Sequence, residues 1–269
     1  MNSLVPTPDL IRTIEASEIE YMTDRMTAIQ SRPGNPEGVE IRSFGNAVCY
    51  YSKTMPWPSF NTVKGLRSED IDSIEPILDF YRTRERKPQF EIVPSAVDSA
   101  FLRRLAENSC YPSGTHTSLC MVPGTIAPEP SDRIRIEELR EDQFELYARI
   151  HCRGAGLSDD GIPHVAANNR VLHGRPGWKF YVAYLDEEPA AAGVLRIRDG
   201  IASMTFAATL PEYRNMGLQR RLLLRRLEEA GRQSCSLAVG QCALLSASHR
   251  NMERVGMKIG YVRTSWTLL

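Results

Sequence analysis

Hydrophobic and polar positions change their period along the chain, and the changes mark out its elements. In "WKFYVAYLDEEPAAAGVLRIRDGIASMTFAATL", residues 178–210, apolar runs break at Asp186–Pro189 and Asp199-Gly200, which predicts three strands joined by tight turns. The spacing then becomes helical: in "LQRRLLLRRLEEAGR" Leu218, Leu222, Leu223 and Leu227 form one stripe and the arginines lie outside it. "SLAVGQCALL" predicts a strand, "SASHRNMERVGMKIG" a helix and "YVRTSWTLL" a terminal strand. Before Trp178, "RIRIEEL" alternates as a strand, and "REDQFELYARIHCRG" and "DDGIPHVAANNRVLHG" predict two helices.

The first half carries the same signals more faintly. "VEIRSFGNAVCYYSK" predicts a hairpin, and Ser68 is expected to cap a helix over "SEDIDSIEPILDFYRTRER", with Glu69 and Asp70 at its positive end. "PQFEIVPS", "AVDSAFLRRLAENS" and "GTHTSLCMV" follow as strand, helix and strand. Both halves thus end helix, strand, helix, strand. Between them "MVPGTIAPEPSDR", with three prolines and a glycine, can hold neither a regular helix nor a central strand. The division expected is 1–128 and 129–269, two copies of one α/β architecture.

Composition adds limits. Lys plus Arg equal Asp plus Glu at 33 each, and 42% of residues are hydrophobic, as in a water-soluble globular protein. Residues 1–130 carry 13 basic and 17 acidic side chains, residues 131–269 carry 20 and 16, which favours an anionic ligand in the second half. No bulk charge argues for nucleic acid, and no stretch approaches the roughly 20 apolar residues of a membrane span. The six cysteines form no CxxC pair and read as small buried hydrophobes, with no metal site implied. The N-terminus has no apolar core of signal-peptide length, so a cytoplasmic location is expected.

The corner at "PEYRNMGLQRRLL" carries the chemistry. A glycine loop feeding a helix leaves the first N–H groups unpaired and pointing one way, and the helix dipole adds positive charge. Gly217 lets an anion approach the backbone, and Arg214, Arg220 and Arg221 add charge nearby. A phosphate or pyrophosphate is the expected guest. The tight turns before the corner do not suit a dinucleotide βαβ unit, and the lysine followed by Ser or Thr of a P-loop is absent.

"AATLPEYRNMGLQRRLL" resembles the acetyl-CoA-binding segment of the GNAT acyltransferase superfamily, Arg/Gln-x-x-Gly-x-Gly/Ala after the fourth strand, and "RNMERVGMKIGY" resembles that family's closing segment. The element order from Arg133 to Leu269 fits the GNAT fold. Over the first half the resemblance is architectural only, which implies tandem copies with a degenerate N-terminal one. It further implies that the main chain of Ala207, Ala208 and Thr209 pairs with the pantetheine arm. Arg214, Asn215, Met216, Gly217, Leu218, Gln219 and Arg220 would hold the pyrophosphate, and Asn251 would flank the thiol end.

Two positions depart from the pattern. Gln219 replaces the small last residue of the loop, where it either crowds the pyrophosphate or donates to it. Met252 stands where many members have a tyrosine acting as acid, and it cannot donate a proton. Ser246, Ser248, His249 or a bound water are the nearby substitutes, so no catalytic residue is assigned. Asp159, Asp160 and His164 lie where the family builds its acceptor pocket, yet "DDGIPH" also reads as a turn and cap. His151 and Cys152 are adjacent on a helix and do not face each other. Trp57, Trp178 and Trp266 are expected to be packing anchors, and Arg225-Arg226 the wet face of their helix.

The function these readings imply is transfer of an acetyl or other acyl group from acetyl-CoA to a primary amine by direct attack in a ternary complex, without a metal. The acceptor would be a small molecule or a peptide, with no nucleic-acid or membrane partner; a homodimer is one of the oligomeric states left open. A non-catalytic acyl-CoA-binding or sensing module is the alternative, ahead of a scaffold that binds no cofactor.

Overall fold

A computed structural model describes residues 4–124 and 133–269, which form two compact units. The boundary expected at 128/129 lies outside the described residues. The N-terminal unit is Val5–Ser118 with Ile259–Leu269, and Leu119–Lys258 form the bulk of the C-terminal unit. The chain's last strand, on the far side of the expected boundary, therefore packs in the N-terminal unit.

The N-terminal unit runs α1 (Pro8–Gln30), β1 (Glu40–Phe44), β2 (Ala47–Tyr51), β3 (Thr62–Lys64), α2 (Ile74–Arg82), β4 (Gln89–Ile92), α3 (Ser99–Glu107) and β5 (Cys110–Met121), and takes in β11 (Lys258–Leu268) from the end of the chain. Its strand order is β1-β2-β3-β4-β11-β5. β3 and β4 run parallel, and β11 closes antiparallel on β4 through Thr264↔Ile92 to Thr267↔Gln89. Val63, Ile77, Tyr81, Phe90, Phe101 and Leu105 are fully buried between helices and sheet. The helix expected to start at Ser68 begins as a 3₁₀ turn, with α2 proper from Ile74. Its cap is Asp70, whose carboxylate accepts the amides of Arg67 (2.8 Å) and Asn46 (2.9 Å).

α1 was not foreseen in the sequence. Thr7 caps it through Leu10 N–H, and Pro8 sits where a helix tolerates proline. Its hidden face mixes apolar side chains, Ile14, Met22, Met26 and Ile29, with three charged ones, Glu15, Glu18 and Arg25. Glu18 accepts hydrogen bonds from Ser118 (2.5 Å) and Tyr261 (3.0 Å) and pairs with Arg263. Arg263 also lies 3.1 Å from Glu91, which pairs with Lys64. Burial alone would raise the Glu91 carboxyl, but Lys64 and Arg263 hold it at about 2.

The C-terminal unit holds β6 (Ile134–Glu138), α4 (Phe144–Ala155), α5 (Ile162–Arg170), β7 (Trp178–Leu185), β8 (Glu188–Arg198), β9 (Ile201–Thr209), α6 (Leu218–Arg232), β10 (Leu237–Ala243) and α7 (Ala247–Arg254). Its strands run β10-β9-β8-β7-β6, antiparallel except for the parallel pair β9–β10. This is a mixed α/β fold on a mixed sheet, as the sequence implied. The leucine stripe of α6 is buried in the core with Tyr181, Leu195, Met204 and Met257. Arg226 corrects the expected wet face. It is buried to 1%, donating to the carbonyls of Leu222 (3.0 Å) and Val194 (3.2 Å), and burial pushes its guanidinium down to about 10. Gly193 makes room for it, since a Cβ there would stand 3.2 Å from Arg226 Cζ.

Candidate active site

β9 and β10 pair over four residues, from Ile201↔Leu237 to Met204↔Gly240, and then part. β9 continues to Thr209 and β10 to Ala243, so main-chain groups of Thr205–Thr209 on that side carry no parallel ladder. A bulge drives the separation. Opposite β8 the register steps from Val194↔Thr205 to Ala192↔Ala208, which sets three steps on β9 against two, and Phe206 takes a left-handed φ of 47°. Nothing in the sequence signals this bulge, since phenylalanine rarely adopts positive φ.

After β9 the chain makes a 3₁₀ turn over Pro211–Tyr213 and reaches α6 through two left-handed residues, Asn215 (φ 63°) and Gly217 (φ 83°). Gly217 is the helix N-cap and offers no side chain to the first-turn amides. A Cβ built on it would meet only Ile134 Cδ1, at 4.0 Å, so the space before those amides is open.

That space is a cavity of about 600 Å³. Ala207, Ala208 and Thr209 line one wall, and Arg214, Asn215, Gly217, Leu218, Gln219 and Arg220 line the corner. Asn251 lines it from α7. Met216, 48% exposed, is not among the lining residues. Gln219 answers the question its size raised: Nε2 donates to Thr209 Oγ1 at 2.8 Å, which holds the carboxamide on the end of β9. Arg214 donates to the Gly154 carbonyl at 2.9 Å.

Several lining residues were not foreseen: Gly154, Tyr213, Ala247, Arg250 and Arg254. Gly154 lets α4 settle on the end of β9, because a Cβ there would come within 2.9 Å of Ala208 Cβ and 3.0 Å of Thr209 O. The arginines of α7 stand four residues apart, a spacing visible in "HRNMER" once the helix is known. Among the described residues, no aspartate or glutamate lines the cavity.

The candidate acids separate clearly. Ser246 caps α7, its hydroxyl accepting from His249 N–H at 3.1 Å. His249 is buried and its Nδ1 accepts from Leu245 N–H at 2.9 Å. Ser248 alone of the three lines the cavity. Met252 packs in the core over Gly240, where a Cβ would meet its Cε at 3.0 Å.

Asp159 is held bidentately by Arg153 (2.7 and 3.0 Å), which keeps its carboxyl below the usual range, and Ser158 caps the turn through Asp160 N–H. Neither aspartate nor His164 lines the cavity. His151 stacks on Tyr147 at 5.9 Å, and burial raises the Cys152 thiol, as packing roles require. Trp178 is buried and Trp266 half-buried, but Trp57 is 44% exposed. Among the described residues, no three His, Cys, Asp or Glu side chains converge to hold a metal ion, and no helix is long and apolar enough to cross a membrane.

A parting pair of parallel strands thus lies beside an open glycine corner. The profile of the acetyltransferase (GNAT) family matches residues 135–257. These residues form a domain of the GNAT fold. Its fold is one that supports acyl transfer. Solved structures extend the likeness of fold over both halves. A GCN5-related N-acetyltransferase from Kribbella flavida is 16% identical, covers 90% of this chain and 94% of its own, and has a TM-score of 0.65. A tandem GNAT protein from the clavulanic acid biosynthesis pathway is 14% identical over 94% and 95%, with a TM-score of 0.62. A GCN5-related N-acetyltransferase from Sphaerobacter thermophilus is 12% identical over 82% and 80%, at 0.61. No curated protein matches the chain in sequence.

Proposed function

We propose that the chain is an acetyl-CoA-dependent N-acetyltransferase acting on a primary amine by direct attack, with the C-terminal unit as its catalytic domain. One observation carries the reading: β9 and β10 part beside a corner whose first-turn amides open, across Gly217, onto a cavity lined by no carboxylate among the described residues. The amides of Leu218, Gln219 and Arg220 would take the diphosphate, with the helix dipole and Arg220 adding charge. The free main chain of Ala207–Thr209 would take the pantetheine amides as a strand takes a neighbour. Acetyl-CoA supplies the activated acyl group as a thioester. What the chain supplies is alignment of amine and thioester, which converts a bimolecular encounter into a positioned one.

The proton inventory is short. Ser248 is the hydroxyl on α7 that lines the cavity, and we assign it, directly or through a water, the relay to the departing thiolate of the proton that the neutral amine sheds as it becomes the amide. The acceptor is a small-molecule or peptide amine.

A second reading, an acyl-CoA-binding module without turnover, is favoured by one observation: Met252 is buried against Gly240 and presents no donor. The two readings separate by experiment. Calorimetric titration with acetyl-CoA reports binding, and thiol release with a panel of small amines and N-terminal peptides reports turnover. The enzyme reading expects micromolar binding and amine-dependent release. Binding with release no faster than hydrolysis across the panel would leave only the module.

A further inference from the structure

The cavity has an inner end, and the register of the strands locates it. β9 and β10 run as a parallel pair only as far as Met204↔Gly240, so that step is the apex from which they part. The glycine corner lies beyond Thr209, and the free edge of Ala207–Thr209 lies between corner and apex. A ligand held at the corner and laid along that edge therefore points its far end toward Met204 and Gly240.

One side chain closes that end. On α7, Ser248 and Asn251 line the cavity, whereas Met252, four residues after Ser248 and so on the same face, does not. Met252 is buried and lies over Gly240: a Cβ built on the glycine would stand 3.0 Å from its Cε and 3.3 Å from its Sδ. The thioether thus fills the space that a side chain at 240 would take. Room to retreat is lacking, since Met204 and Met257, both buried, belong to the same core cluster.

We infer that Met252 sets the length of acyl chain that the protein accepts. Its thioether is the end wall of the acyl pocket, with room before it for acetyl and none for a longer chain. The inference rests on the reading that this cavity holds an acyl-CoA. An apolar wall discriminates by size, about 10–200-fold for one methylene in a fitted pocket. Acetyl stops short of the wall. Butyryl, two methylenes longer, would have to drive the thioether into a close-packed core.

Calorimetric titration of the full chain with acetyl-, propionyl-, butyryl- and hexanoyl-CoA tests this and needs no acceptor amine. The unaltered protein is expected to bind butyryl-CoA at least about tenfold more weakly than acetyl-CoA, and hexanoyl-CoA no better than butyryl-CoA. Met252→Ala removes Cγ, Sδ and Cε, and butyryl-CoA should then bind at least as tightly as acetyl-CoA, its added methylenes occupying the vacated space. Met252→Val is the milder variant, in which propionyl-CoA should gain most; native folding of both is checked by circular dichroism. Equal affinity of the unaltered protein for acetyl- and butyryl-CoA overturns the wall and leaves the cofactor reading standing. An order of affinities that the folded variants leave unchanged also overturns it. Absence of binding by all four acyl-CoAs overturns the cofactor reading itself.

Discussion

Gln219 Nε2 donates to Thr209 Oγ1 at 2.8 Å, tying the first turn of α6 to the last residue of β9. The family pattern has a small residue where Gln219 stands, and this bond explains how the larger one is housed: the side chain is held by the strand beside the corner. It also couples the two halves of the proposed cofactor site, the amides of the corner and the free edge of the strand. Gln219→Ala is expected to weaken acetyl-CoA about fivefold, since one hydrogen bond contributes about 1 kcal/mol. Thr209→Val should do the same, and the double variant no more than either, as measured by a calorimetric double-mutant cycle. Additive losses would mean that the two side chains act separately.

Gly217 has two separable properties, a left-handed φ of 83° and open space beyond its Cα. Any side chain incurs the backbone strain, about 1–2 kcal/mol, so Gly217→Ala and Gly217→Glu should lose similar stability by urea denaturation. Only the glutamate places bulk and negative charge before the amides. Gly217→Glu should lower acetyl-CoA affinity at least a hundredfold and Gly217→Ala far less. Equal affinity losses would place the diphosphate elsewhere.

Ser248 lines the cavity and Met252 lies in the core, so their substitutions should move different quantities. Ser248→Ala is expected to lower kcat ten- to a hundredfold with acetyl-CoA affinity unchanged, the range expected for loss of a proton-transfer group. Met252→Leu, which conserves volume, should change kcat less than twofold. Installing tyrosine at 252 should reduce stability by about 1–3 kcal/mol through overpacking on Gly240 and bring no gain in kcat. Unchanged turnover in Ser248→Ala would remove the serine from the mechanism.

In the N-terminal unit, Glu91 sits between Lys64 and Arg263 with its carboxyl held at about 2, below the ordinary 4.5. A depressed carboxyl stabilises the fold fully above its unfolded value and loses that contribution as pH falls through the folded one. Stability should therefore decline from about pH 4.5 toward pH 2. Glu91→Gln strands two buried cations and should cost about 3–5 kcal/mol at pH 7. Urea midpoints should show that difference narrowing by about 2 kcal/mol at pH 3, where the unfolded carboxyl is already protonated. A constant difference across that range would separate Glu91 from the acid limb.

How far the sequence could be read depended on where each element's signal lies. In the second half the strands, α6 and the corner are written locally, in alternation, a leucine stripe and a glycine, and the structure returns them nearly residue for residue. α1 was illegible because charges interrupt its apolar buried face: Glu15 is matched by Arg67, and Glu18 by Arg263, partners far away along the chain. Arg226 misled for the same reason, its place in the core depending on the Val194 carbonyl and on the missing side chain of Gly193. The corner's own residues were found from their pattern. Arg250 and Arg254 were not, because a cavity wall made by α7 becomes visible only when the helix is set against the corner.

The most direct measurement is amide hydrogen exchange at the corner, with and without acetyl-CoA. The amides of Leu218, Gln219 and Arg220 lie at the N-terminus of α6, where a helix provides no acceptor. Acetyl-CoA should slow their exchange at least tenfold, together with that of the β9 edge at Ala207–Thr209. Saturating acetyl-CoA that leaves both segments exchanging at their unliganded rates would contradict the account.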